Sequence, residues 1–370
     1  MKADGIFIGL MSGTSLDGID AVAVRFAPTF ELLGSCSSEL PSTIRDQILT
    51  LCTPGHDEID RMGKLDQTLA QLFADAALKL MAALNLSADQ VTAIGSHGQT
   101  IRHRPEYGFT LQIGNPSLIS ELTGITTVAD FRPRDMAAGG EGAPLVPAFH
   151  KALFSDQQHA RIILNIGGMS NITWLPADQS HIVMGYDTGP GNVLLDGWIS
   201  AHQQRSYDAE GFWSAQGNVD SQLLDQLLSL PYFSKPAPKS TGREQFNMAW
   251  LQEQMTLCSS TSAPQDVQAT LLELTARTIS DQIRTFSPES VSDIFVCGGG
   301  SHNQTLLKRL SQLLSPIKVN TTDALGLHPD WVEACAFAWL AKQTLNGLSG
   351  NLPDVTGARG ERILGAIYPA

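Results

Sequence analysis

The sequence predicts an α/β protein built in two halves, and three observations carry that reading. Strand-length apolar runs alternate with helical periodicities along the whole chain, which implies α/β layering. Two blocks, opening near residues 6 and 161, each begin with an apolar strand, a tight glycine turn rich in Ser, Thr or Asn, and a return strand. The chain is 370 residues long, which at roughly 100–200 residues per domain predicts two or three domains, and its 42% hydrophobic content supplies two sizeable cores and excludes disorder. The echo between the halves has no fixed short period, so it is not a repeat array.

Strands are predicted over 6–11, 19–26 and 31–38, the first ending at the turn 12–17. Apolar residues from Ile59 through Leu65, Leu69, Phe73 and Leu80 to Leu84 recur every three or four positions, which predicts a long amphipathic helix over 57–86. A strand over 91–96, a helix over 116–122 and a strand over 125–129 follow. The Pro- and Gly-rich stretch 132–147, preceded by Asp130 and crowded with Arg132, Arg134, Asp135 and Glu141, is the expected crossing between the halves. The second half predicts strands over 162–166, 172–175 and 182–186, then helices over 192–202, 221–229, 247–258 and 267–286. A buried strand over 293–297, a triple-glycine turn, and helices over 303–314 and 331–345 complete it.

A net charge of −13 argues against nucleic acid, which basic surfaces bind by releasing counterions. Five widely spaced cysteines with no CxxC pair indicate neither a disulfide framework nor a zinc ribbon. The apolar run 5–11 is too short for a secretory signal, and no run reaches ~18 residues. The expectation is a soluble, cytoplasmic protein with no membrane partner.

No Walker loop, nucleophile elbow or H-E-x-x-H occurs, and the lone Asp187-Thr188-Gly189 lacks the second copy an aspartic protease needs. Gly298 onward fails the dinucleotide fingerprint. The turn Gly13 to Gly18 lets backbone approach a ligand, and its amides and hydroxyls suit phosphate oxygens; Asp17 suits a cation lying between. Gly167-Gly168 with Asn171 has the same character. Either turn alone serves an ordinary hairpin; together they suggest a nucleotide held by two phosphate-type loops. Gly298-Gly299-Gly300 with Asn303 follows a buried strand and opens a helix, where backbone can lie against a ribose or planar group. Asp187 ends a predicted strand in a glycine-rich turn, a position for a general base or for a helix cap. Arg102-His103-Arg104 and Arg132-Pro133-Arg134 are local basic exceptions suited to a carboxylate or phosphate. The histidines, His97 among them, show no metal-ligand spacing and are read as structural.

Gly9 to Asp20, Ser96 to Thr100, Asp130 to Asp135 with Ala138 to Pro147, and Asn165 to Asn171 resemble the motifs of anhydro-N-acetylmuramic acid kinases. Asp187 to Asn192, Ser240 to Glu244, Cys297 to Gly300 with Asn303, and Glu333-Ala334 with 336–341 continue the resemblance in order over nearly the whole chain.

The resemblance implies an actin-like ATPase fold of the hexokinase and acetate-kinase type. It consists of two ribonuclease-H-like domains with a nucleotide cleft between them, expected at 1–130 plus about 350–370 and at 131–349. It implies that Gly13, Thr14, Ser15, Leu16, Asp17, Gly18, Ile19 and Asp20 form one ATP phosphate loop, with Asp17 serving Mg2+ directly or through water. Gly167, Gly168 and Asn171 match the second loop, alongside Gly189 and Gly191, and Gly298, Gly299, Gly300 and Asn303 border the adenosine. Asp187 matches the catalytic base, and Asp130, Arg132, Arg134 and Glu333 the sugar side. The implied reaction opens the 1,6-anhydro ring of an amino sugar and phosphorylates O6 with ATP in cell-wall recycling. The assembly is left open, with a homodimer among the alternatives. The residues themselves leave two other readings open, a sugar kinase on a free hydroxyl and an ATP-driven switch.

Overall fold

The computed structural model describes residues 5–13, 15–178, 180–237, 239–286 and 291–370. It divides into two units, Met1–Leu153 with Trp331–Ala370, and Phe154–Asp330.

In the first unit, β1 (Ile6–Met11), β2 (Gly18–Arg25) and β3 (Glu31–Glu39) form an antiparallel meander in which Met11 pairs with Asp20. β4 (Val91–Ser96) lies parallel to β1 on its other side. The pair β5 (Gln99–Arg104) and β6 (Phe109–Ile113) forms a separate hairpin. β7 (Thr127–Ala129) runs parallel to β4, and the C-terminal strand Ala366–Tyr368 closes that edge antiparallel. The sheet order is therefore C-terminal strand, β7, β4, β1, β2, β3. Because β1 and β4 are parallel, a crossover must join them, and the helix Glu58–Leu84 supplies it. Its stripe Leu65, Leu69, Phe73, Ala76 and Leu80 is buried against the sheet as the periodicity predicts.

The helix Val332–Leu345 returns to this first sheet and covers β1 and β4. Two glycines make the approach possible. A Cβ at Gly9 would lie 1.9 Å from the carbonyl oxygen of Ala334, and one at Gly95 2.1 Å from that of Phe337. This packing places one boundary at 330/331 rather than at the expected 350, and the other lies at 153/154 rather than 130. The stretch 132–147 is likewise not the crossing. It begins with the helix Phe131–Ala137, and its buried Asp135 accepts hydrogen bonds from Gly142 N, Asn351 Nδ2 and Thr356 Oγ1, all within the first unit.

The second unit repeats the plan. β8 (Arg161–Ile166), β9 (Met169–Leu175) and β10 (Met184–Pro190) form the meander, while β11 (Asp293–Cys297) and β12 (Lys318–Thr321) extend the sheet in parallel from β8. The order β10-β9-β8-β11-β12 matches β3-β2-β1-β4-β7 of the first unit, strand for strand and direction for direction. The buried helix Pro264–Phe286 packs on β9 and β10. β10 runs past the predicted end at 186 through Asp187 to Pro190, because Gly189 and Pro190 still pair with Ser170 and Met169 after an irregularity.

Candidate active site

In each unit the site candidates gather at the C-terminal ends of parallel strands, the usual ligand-binding edge of such sheets. In the second unit, β8 ends at Ile166 and leads into Gly167-Gly168, and β11 ends at Cys297 and leads into Gly298 to Gly300. The carbonyl of Gly168 accepts from Gly191 N at 2.9 Å and Val193 N at 3.1 Å, and that of Gly167 from Asn192 N at 2.8 Å. The hairpin turn is thereby bound to the start of the helix Val193–Gln203. Gly191 permits this, since a Cβ there would sit 2.4 Å from Gly167 O. Gly298, at φ +77°, presses on β8, where a Cβ would lie 2.3 Å from Asn165 Oδ1. A Cβ at Gly299 would approach Asn192 Nδ2 at 3.9 Å. Three glycine segments distant in sequence are thus neighbours.

Asp187 pairs with Asn171, Asn171 with Asn165, and Asn165 with Cys297, so four residues form one row across β10, β9, β8 and β11. Cross-strand partners share a face. Asp187 is half-buried, and Thr241 N donates to its Oδ2 at 3.0 Å. Asp187 N donates to Lys239 O at 3.1 Å, and Tyr232 Oη donates to Asp187 O at 2.8 Å. Burial, with Lys235 nearby, lowers Lys239 to about 8. Gly189, at φ +149°, packs where a Cβ would lie 2.8 Å from the Phe233 ring. Asn303 caps the helix Gln304–Leu314, its Oδ1 accepting from Leu306 N at 3.0 Å. Its oxygen is therefore committed to the fold.

In the first unit, β1, β4 and β7 end at Met11, Ser96 and Ala129. Ser12 Oγ is placed 2.8 Å from Gln99 Oε1 and 3.0 Å from Gly18 O, which pins the turn at its base. Leu16 is buried at φ +61° and its N–H donates to Gly13 O; Ile19 lies in the core. A Cβ at Gly18 would lie 2.7 Å from Ser38 O. These three residues build the turn, while Ser15 and Asp17 are its exposed members and a Cβ at Gly13 would lie 3.8 Å from Ser15 Oγ. Thr14 lies outside the described residues.

Asp130 follows β7 in a left-handed conformation, φ +56°, the kind of strain that clusters at functional sites. Its Oδ2 accepts from Tyr368 Oη at 2.5 Å. Arg132 donates to His97 Nε2 at 2.8 Å and to Gly142 O at 2.9 Å. Burial and the Arg132 cation push His97 down to about 3, so it is neutral; burial also lowers Arg132 to about 10, opposed by Glu333 and Asp135. Burial raises Glu333 above the usual carboxylate range, opposed by Arg132 and reinforced by Asp20. Arg132, Glu333 and Asp20 thus form one electrostatic group. Arg134 is exposed and makes no hydrogen bond among the described residues. Arg102 is spent on Glu58 and Leu51 O.

The residues that sequence reasoning passed over are Asn165, Tyr232 and Lys239, while His97, read as structural, accepts from Arg132. Asn165 stood in a quoted motif, and its β8 register with Asn171 is the signal that could have found it. Tyr232 and Lys239 lie 45 and 52 positions beyond Asp187, and only folding joins them to it.

A duplicated five-strand order, with a glycine hairpin turn after the first strand of each copy, defines the actin-like class of two ribonuclease-H-like units. The model of the anhydro-N-acetylmuramic acid kinase family matches residues 5–370, and the chain belongs to that family. It is 52% identical over 367 residues to the anhydro-N-acetylmuramic acid kinase of Pseudomonas syringae pv. syringae (strain B728a), covering 99% of this chain and 100% of the relative. It is 50% identical over 371 residues to that of Shewanella amazonensis (strain ATCC BAA-1098 / SB2B), covering 100% of both. Among solved structures it is similar, at a TM-score of 0.49 and 10% identity, to the activator of the 2-hydroxyisocaproyl-CoA dehydratase from Clostridium difficile with bound ADPNP, covering 92% of this chain and 96% of that one.

Proposed function

We propose that this chain uses ATP to open 1,6-anhydro-N-acetylmuramic acid and phosphorylate its O6, yielding N-acetylmuramic acid 6-phosphate and ADP in cell-wall recycling. Full-length membership of the family supports the reaction. The observation that carries its chemistry is the Asp187 carboxylate, held by Thr241 N on a row that adjoins the glycine turns of the second unit.

The substrate has no free 6-hydroxyl, because O6 is bonded to C1. Asp187 takes a proton from water, the water oxygen bonds to C1, and the C1–O6 bond breaks. O6 bonds to the γ-phosphorus of ATP as the bond to the ADP oxygen breaks. A departing glycosidic oxygen ordinarily needs a general acid; capture by the phosphoryl group makes that acid unnecessary. Gly13, Ser15 and Asp17 in one turn and Gly167, Gly168 and Asn171 in the other are proposed to take the triphosphate. Gly298 to Gly300 are proposed to border the adenosine, and Asp130, Arg132 and Glu333 to serve the sugar. Arg132 is the residue proposed for the lactyl carboxylate.

Among the described residues no three His, Cys, Asp or Glu side chains are grouped to hold a metal. Such a sparse donor set suits Mg2+, which takes one or two carboxylates and fills its shell with phosphate and water. The exposed Asp17 is the carboxylate proposed for it. Bound with ATP, Mg2+ neutralises phosphate charge. The cytoplasm, where ATP is supplied, is the proposed location, and among the described residues no helix is long and apolar enough to cross a membrane.

Incubation with ATP and the anhydro-sugar tests the reading by mass spectrometry. The sugar should gain the elements of one water and one phosphoryl group, with one ADP formed per sugar. ADP accumulating beside unchanged sugar would favour the ATP-driven switch.

A further inference from the structure

Asp187 lies on β10, the edge strand of its sheet, at an irregularity in the pairing with β9. An edge residue beside a bulge has no strand on its outer side to fix its backbone. Here residues 231–237 and 239–241 take that place. Lys239 O accepts from Asp187 N, Tyr232 Oη donates to the Asp187 carbonyl, and Thr241 N donates to the carboxylate, at 3.1, 2.8 and 3.0 Å. Two of these contacts come from residues outside the motifs read in the sequence.

The segment is itself braced. Lys239 Nζ donates back to Tyr232 O at 3.3 Å and Phe233 O at 3.4 Å, and lies 4.8 Å above the Tyr232 ring. The Tyr232 ring is buried and packs edge-on against Phe246, with centroids 5.7 Å apart. Lys239 is also buried. Two carbonyls and a ring face thus tie Lys239 to Tyr232 and Phe233, and Tyr232 Oη reaches Asp187 O.

We propose that Tyr232 and Lys239 are positioning residues for the Asp187 carboxylate: Tyr232 fixes the Asp187 backbone at the bulge, and Lys239 holds Tyr232 in place. The inference rests on the reading of Asp187 as the base. Proton transfer needs the carboxylate within hydrogen-bond reach of the attacking water, so a backbone free to shift lowers the rate without altering how either substrate binds.

Tyr232→Phe keeps the ring and its packing and removes only the hydroxyl. We expect kcat to fall ~10-fold, the scale of leaving a buried carbonyl without its donor, with KM for ATP and for the sugar each within about twofold of wild type. Lys239→Met should lower kcat in the same way, and Lys239→Arg, which restores the donors, should recover part of the loss. A merely structural role would lower the melting temperature and leave kcat per folded molecule unchanged. Wild-type kcat in Tyr232→Phe overturns the proposal. Should that variant not fold, wild-type kcat in Lys239→Met overturns it equally. Asp187→Asn, measured alongside, separates the two levels. If it retains turnover, the base assignment fails and this inference with it. If it is inactive while the Tyr232 and Lys239 variants are unimpaired, only the positioning fails.

Discussion

Arg132 donates a 2.8 Å hydrogen bond to Nε2 of His97, which makes that nitrogen an acceptor and keeps the imidazole neutral. Burial first, and the Arg132 cation second, hold His97 near 3. An unfolded histidine protonates near 6.5. Between those values the unfolded chain binds the extra proton and the folded one does not, so stability falls as pH drops. The loss reaches about 1.4 kcal/mol per pH unit for each such histidine; His150, held near 3, and His103, near 4, act in the same direction. Glu333, raised by burial, acts in the opposite one. The test is therefore a difference. Denaturant midpoints from pH 7 to pH 4 should fall less steeply for His97→Gln than for wild type, and parallel slopes would contradict the prediction.

Asp187→Asn should retain the fold and ATP binding and lose turnover, because an amide keeps the shape and cannot take the proton. Loss of a general base costs ~10²–10⁴-fold. Steady-state rates together with nucleotide titration of the same preparation check both halves of the prediction.

Arg132→Ala should raise the KM for sugar ~10-fold or more, the scale of one charge-assisted contact, with little change for ATP. Arg134→Ala should change either KM by less than about twofold, the scale expected when an exposed charge without a fixed partner is lost. Loss of ATP affinity with sugar affinity intact would assign Arg132 to the nucleotide.

Two glycines make a paired test of the turns. A Cβ at Gly191 would meet Gly167 O at 2.4 Å, backbone against backbone, whereas the nearest atom to a Cβ at Gly13 is 3.8 Å away. Gly191→Ala should therefore lower stability by ~2 kcal/mol or more, in the range of overpacking, and impair ATP binding. Gly13→Ala should leave the melting temperature near wild type. Equal thermal stability of the two variants would contradict the steric account.

Much of this was legible in the sequence for local reasons. The hairpin turns 12–17 and 167–168 announce themselves because glycine and short polar residues interrupt apolar runs, and the helix 57–86 because its period is regular. The hairpin β5–β6 went unread because Arg102, His103 and Arg104 sit where alternation should show. The crossing point was misplaced because proline and glycine mark a turn without saying which unit buries it, and here Asp135 is tied to Asn351 and Thr356. The helix over 331–345 was legible, but not the sheet it covers; Gly9 and Gly95 carried that information as missing side chains. The surroundings of Asp187 depend on Tyr232 and Lys239, whose approach is a property of tertiary structure alone.

The most direct test of the central claim follows oxygen. The anhydro-sugar should be incubated with the protein in heavy-oxygen water, with and without ATP, and the label located by fragmentation. Attack of water at C1 predicts label on the anomeric carbon, none in the phosphate ester, and no ring opening without ATP. Label in the ester, label in free phosphate beside unchanged sugar, or ring opening in the absence of nucleotide would contradict it.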